Sequence, residues 1–130
     1  MVIQSNIGGS APAYCVSSGK AMIAFDADRL EKVIGEGLKR FTANTITDPK
    51  KLRDTCQEIR EKGYAINNGE YRIDAMGVGS PIFDSRNQVV GAISSVAPLS
   101  RMNKKQWRLH IESVLSTAER ISQRLGKSQK

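Results

Sequence analysis

Through the last quarter of the chain, apolar residues recur at spacings of three and four. Trp107, Ile111, Val114, Leu115, Ala118, Ile121 and Leu125 form one stripe, while Arg108, Glu112, Glu119, Arg120, Gln123 and Arg124 fall off it. That period predicts an amphipathic helix. Asn103 stands at the N-cap with Gln106 three residues on as its reciprocal partner, and Gly126 stands where a helix end wants a left-handed residue. At 1.5 Å per residue such a helix is about 35 Å long, enough to cross a sheet. A second helix starts at Asp48, with Pro49 in the first helical position, Leu52, Cys56 and Ile59 facing inward, and Gly63 as the stop. Residues 17–35 predict two helical pieces broken near Asp26. The first, SGKAMIAF, is nearly all apolar after Lys20 and should be buried; the second is short and amphipathic.

The middle of the chain changes period. Residues 64–66 read as a short extended piece. Residues 76–83 and 89–96 read as a hairpin around the turn residues Asp84 to Asn87. Pro81 inside the first arm cannot donate to a ladder and marks an edge or a bulge. Residues 1–7 supply one more candidate strand. The order of strand, helices, three strands and helix predicts an α+β chain, one domain, with an antiparallel sheet and helices packed on it.

The hairpin spends its positions on small side chains: Gly77, Gly79 and Ser80 on one arm, Gly91, Ala92, Ser94 and Ser95 on the other. A helix backbone packed closely on that face would explain them, and so would a ligand cavity over it. Val90, Ala92, Ser94 and Val96 share one parity and would line such a floor together. A four-residue turn sets Gly77 opposite Ser94; a three-residue turn sets Val78 there. At the start of the first helix, Ser17 and Ser18 stand where free N–H groups attract anions, although one of them could simply cap the helix.

Charge and chemistry narrow the function classes. The net charge of +7 raises nucleic acid as a partner. But Lys and Arg are dispersed, the densest run is Lys104-Lys105, and three Tyr, three Phe and one Trp offer little for base stacking. No run approaches the roughly 20 apolar residues of a membrane span, so no membrane partner is expected. The start, MVIQSNIGGSAP, lacks the charged and apolar regions of a secretory signal. Cys15 and Cys56 form no C-x-x-C pair, so a reduced, cytoplasmic location is expected. Gly19-Lys20 fails as a phosphate loop because Tyr14 and Ala21 stand where Gly and Ser or Thr are needed. Ser17-Ser18-Gly19-Lys20 contains S-x-x-K with neither S-D-N nor K-T-G after it. The single histidine, His110, lies beside the helix stripe with no carboxylate four residues away, and reads as an edge residue making a surface hydrogen bond. Cys56 reads as core. Cys15 as a nucleophile would need a depressed thiol pKa and a base, and neither is visible. No zinc ligand set can be assembled. The expectation is no catalytic residue, no metal and no cofactor.

Four segments, in order, resemble the effector-binding domain of IclR-family bacterial transcriptional regulators: YCVSSGKAMIAF, with its small-residue helix start ending in G-K-A; FTANTITDPKKLRDTCQEIREKGYAINNGEY, similar to F-T-x-x-T-I-T, helix, G-Y; VGSPIFDSRNQVVGAISSVAP, similar to P-I-F-D then V-V-G-A-I-S; and RISQRLG. The resemblance runs from about Gly9 to Gly126. It implies a GAF-like fold, a pocket between sheet and helices for a small organic acid effector, and control of DNA binding by a separate winged helix-turn-helix domain. On that resemblance residues 1–130 are an effector-binding domain, incomplete at its N-terminus, with no DNA-binding domain in this chain. DNA would be reached only through that other domain, and a homo-oligomer is expected.

The resemblance also implies effector contacts: Ser17 and Ser18 at the helix start, Asn67 after the G-Y strand where some relatives carry Asp, and Gly77 on the first hairpin arm where some carry Cys. Ser94 matches one of two alternating serines, and Val96 stands in place of the other. It favours Gly77 opposite Ser94. Gly77 and Val96 imply a roomier, less polar pocket than one made for a two- or three-carbon acid. Two alternatives compete: a generic GAF- or PAS-type ligand-binding or dimerisation module, and a basic domain that binds nucleic acid directly.

Overall fold

The computed structural model describes residues 11–127; the strand expected at 1–7 lies outside the described residues. A 3-10 turn, Ala13–Cys15, leads into helix α1, Ser17–Ile23, then α2, Ala27–Glu36, and α3, Pro49–Lys62. Strands β1, Ala65–Asn68, β2, Ala75–Phe83, and β3, Val89–Pro98, follow, and α4, Lys104–Arg124, closes the chain.

The helix boundaries follow their local chemistry. Asp26 breaks the first helical region by capping α2, its carboxylate accepting from Arg29 N at 3.2 Å. Asp48 caps α3 through Lys50 N, and Gly63 ends it in the left-handed conformation at φ 87°. Asn103 caps α4 through Gln106 N at 2.9 Å, and Gly126 turns left-handed just beyond its end. The α4 stripe buries Val114 and Ala118, whereas Leu125, at the C-cap, is 47 % exposed.

The sheet is antiparallel in the order β1-β2-β3. Its α4 face carries Met76, Val78 and Ile93 against Val114 and Ala118. On the other side Cys15, Ala21, Ile23, Leu52, Cys56 and Ile59 join Ala65 in a second apolar cluster. Pro81 lies past Gly79, where pairing with β1 ends, and next to a bulge at Ile82/Phe83, so it sits on the part of β2 with a neighbour on one side only.

The hairpin register differs from the expected Gly77–Ser94 pairing. Gly77 faces Val96 and Gly79 faces Ser94. The cause is local. Asp84 Oδ1 accepts from Arg86 N and Gln88 N, and Asn87 turns at φ 58°, so pairing resumes only at Val89. The bulge then absorbs one more residue, leaving Val90 52 % exposed rather than on a cavity floor. The slip is two residues, so parity survives.

The register lines up two rows across the sheet on the α1 side: Asn67–Gly77–Val96 and Ala65–Gly79–Ser94. Here α1 rests directly on the strands. A Cβ on Gly79 would stand 2.5 Å from Ser17 O, and one on Gly77 would stand 2.6 Å from Ser17 Oγ. Close helix packing therefore accounts for both glycines.

Candidate effector site

The site grows from the row Asn67–Gly77–Val96. Ser17 stands over it, and a cavity of about 510 Å³ opens alongside, walled by Ser17, Asn67, Tyr71, Arg72, Asp74 and Val96 together with apolar residues such as Ala75. Neither serine caps α1. The N-cap is Val16, in extended conformation and with no side chain to offer, and the first helical bond runs from Lys20 N to Val16 O. Of the first turn, Ser17 itself lines the cavity.

The loop after β1 is fastened from several sides. Asn67 Oδ1 accepts from Glu70 N at 2.9 Å. Thr42 Oγ1 donates to Gly69 O, and Thr45 Oγ1 donates to Glu70 O, each at 2.6 Å. Lys20 is the strongest tie. Its ammonium donates to Glu70 Oε1 at 2.9 Å, Glu70 Oε2 at 3.1 Å and Ile66 O at 2.7 Å, with the lysine side chain 3 % exposed. This ion pair couples α1 to the loop that carries Tyr71 and Arg72. Because the pair is self-neutralising, it adds no net charge beside the cavity; Arg72 and Asp74 are exposed at its rim.

Residues 1–123 match the family described as "Bacterial transcriptional regulator IclR C-terminal". The chain belongs to the IclR family. It is 31% identical over 122 residues to the HTH-type transcriptional repressor AllR of Salmonella typhimurium, covering 92% of this chain and 45% of AllR. It is 28% identical over 124 residues to the HTH-type transcriptional regulator KdgR of Escherichia coli, covering 94% and 47%. Among solved structures, the IclR of Thermotoga maritima superposes with a TM-score of 0.82 at 34% identity, over 88% of this chain and 47% of that one. The C-terminal domain of E. coli KdgR superposes with 0.80 at 26%, over 88% and 71%. The chain spans about half the length of the curated relatives it matches. Those relatives are regulators, not enzymes.

Of the six residues that the IclR resemblance pointed to, three wall the cavity: Ser17, Asn67 and Val96. Gly77 lies in the strand row between Asn67 and Val96, where its missing side chain lets Ser17 sit down. Ser18 and Ser94 are buried away from the cavity wall. Ser94 lies opposite Gly79, and its Oγ is a buried hydroxyl without a partner among the described residues.

Lys20, Glu70, Thr42 and Thr45 escaped the sequence reading. Lys20 carried a usable signal, since a lysine inside an otherwise apolar buried helix must find a partner. On the opposite face of the sheet, half-buried His110 shares a hydrogen bond through Nδ1 with the buried Ser95 Oγ, so the bond expected at the surface is made to the sheet instead. Both thiols are buried, and burial pushes Cys15 up to about 12, the reverse of an activated nucleophile. Among the described residues no group of three His, Cys, Asp or Glu could hold a metal ion, and no helix is long and apolar enough to cross a membrane.

Proposed function

We propose that the cavity beside the start of α1 binds a small organic acid, and that occupancy shifts the balance between two arrangements of a regulator whose DNA contacts are made by a separate winged helix-turn-helix domain. The observation that carries this is the convergence of Ser17, Asn67 and Val96 on one cavity beside the start of α1. Its volume of about 510 Å³ falls within the roughly 300–1,000 Å³ of small-molecule sites. Ser17 and Asn67 supply polar contacts, and Ala75 and Val96 an apolar surface. Val96, a valine on the cavity wall, favours an acid with an apolar body over a very small one.

The effector must bind the two arrangements with different affinity for anything to be transmitted. The helix α1, resting on β2 and tied to the β1–β2 loop through Lys20–Glu70, is the element through which the cavity reaches the rest of the domain. Self-association of such domains would give the effector two copies to act on.

The test is a thermal-shift screen of keto acids, sugar acids and aromatic acids against this chain. A ligand at about one hundred times its Kd adds roughly 2.7 kcal/mol of stability. Val96→Trp, which fills the cavity, should abolish the shift while leaving the circular dichroism of the chain unchanged. A shift that persists in Val96→Trp would place the ligand elsewhere and remove the reading.

A further inference from the structure

A second cavity, of about 450 Å³, lies at the other end of α1. It exists because pairing with β1 ends opposite Gly79 while β2 continues through Ser80, Pro81 and Phe83. The ends of α1 and α3 and the last turns of α4 surround that uncovered stretch. We infer that it is a binding site for an aromatic monocarboxylate, separate from the cavity at the start of α1.

The apolar wall is aromatic. Phe25 and Phe83 meet edge to face, with ring centroids 5.2 Å apart and planes at 87°, and Pro81 and Leu115 extend the same surface. A flat ring packs on such edges and faces favourably. The polar groups deeper in the wall are already used: Ser80 Oγ donates to Gly63 O at 2.9 Å, and Ser122 Oγ accepts from Phe83 N at 3.0 Å.

What remains for a ligand is positive charge. Arg60 Nη1 donates to Ala24 O at 2.9 Å, which fixes the guanidinium at the rim. No carboxylate pairs with it among the described residues. Lys127 Nζ stands 5.0 Å from the Phe83 ring centroid and only loosely, at 3.4 Å, from Glu119 Oε2. Among the described residues, two cations against one carboxylate leave the rim positive. The free edge of a held guanidinium is shaped for a planar carboxylate. A bare phosphate would meet the same charge but leave the phenyl edges and Pro81 unused, so the wall selects an acid with a ring.

The two cavities lie at opposite ends of α1, so backbone amides report on each separately. The experiment is a titration of the ¹⁵N-labelled chain with sodium benzoate, followed by amide shifts, with benzamide as the uncharged isostere. Benzoate should move Gly63, Phe83 and Ser122 saturably. Benzamide should bind at least about tenfold more weakly, as should benzoate to Arg60→Gln, the loss expected for a hydrogen bond to a charged group. The proposal is overturned if benzoate moves only Ser17, Asn67 and Val96, if nothing moves up to the solubility limit, or if benzamide matches benzoate. Equal benzoate affinity in Arg60→Gln would overturn it too, and the benzamide comparison needs no variant to fold. Benzoate moving only Ser17, Asn67 and Val96 would place it in the cavity at the start of α1 and support that reading; the other outcomes leave it untouched, its own test being the loss of binding in Val96→Trp.

Discussion

Gly79→Ala tests the contact on which the whole arrangement rests. The added methyl would lie 2.5 Å from Ser17 O, 2.7 Å from Ser17 C and 3.0 Å from Ser18 N. All three are backbone atoms, so no side chain can rotate out of the way. Non-bonded heavy atoms settle at about 3.5 Å or beyond, so the start of α1 must retreat from β2 by roughly 1 Å. Backbone shifts forced by one extra carbon in a packed interior cost about 1–3 kcal/mol. The reduced freedom of the unfolded alanine chain returns about 0.4–1 kcal/mol of that. A net loss of about 1–2 kcal/mol follows, or roughly 3–10 °C in Tm for a domain of this size. Gly91→Ala is the internal control: it sits in the neighbouring strand with nothing within 4 Å of its added carbon, and should be neutral or slightly stabilising. Urea denaturation of the two variants beside the parent chain measures the difference. If Gly79→Ala is as stable as Gly91→Ala, α1 does not rest on β2 and the reason offered for the small-residue face is wrong.

Removing one partner of the Lys20–Glu70 pair strands a buried charge. Lys20→Met should therefore cost about 3–5 kcal/mol, and the double variant Lys20→Met/Glu70→Gln should lose much less than the sum of the two single changes, as read by urea denaturation. Cys15 should resist a thiol-specific disulfide reagent at pH 8 in the native chain and react fully after denaturation, because burial pushes its pKa up to about 12. The same shift bears on alkaline stability. The unfolded thiol ionises near 9.0 while the folded one keeps its proton to about 12, so stability is full below pH 9 and is lost as pH rises through that window. Cys56 and Tyr14, also raised by burial, act in the same direction; a flat stability profile above pH 9 would contradict this. Because its basic residues are dispersed, the isolated chain should not shift duplex DNA at physiological salt; a shift that falls steeply as salt is added would favour the basic-domain alternative.

What could be read from the sequence was local. Asp26, Asp48 and Asn103 each signal a helix start through a backbone N–H two or three residues away, and the glycines that end α3 and follow α4 stand next to the residues they stop. The hairpin register was harder. The side chain of Asp84 lengthens the turn and a bulge removes Val90 from pairing, and no periodicity reveals an extra residue in one arm; hence Val96, not Ser94, came to face Gly77. The small-residue run was visible but ambiguous, because close packing and an open cavity demand the same side chains. The register resolves it: Gly79 and Ser94 lie in the row under α1, while Asn67 and Val96 edge the space beside it. The Lys20–Glu70 tie joins residues 50 positions apart, a separation across which one sequence carries no pairing signal.

The most direct measurement is the crystal structure of this chain with the acid that stabilises it most in the screen. The account predicts the acid in the cavity beside α1, with its carboxylate near Ser17, its polar atoms within reach of Asn67, and its carbon skeleton along Ala75 and Val96. An acid found only outside that cavity, or a cavity that stays empty while the ligand still stabilises the fold, would contradict it.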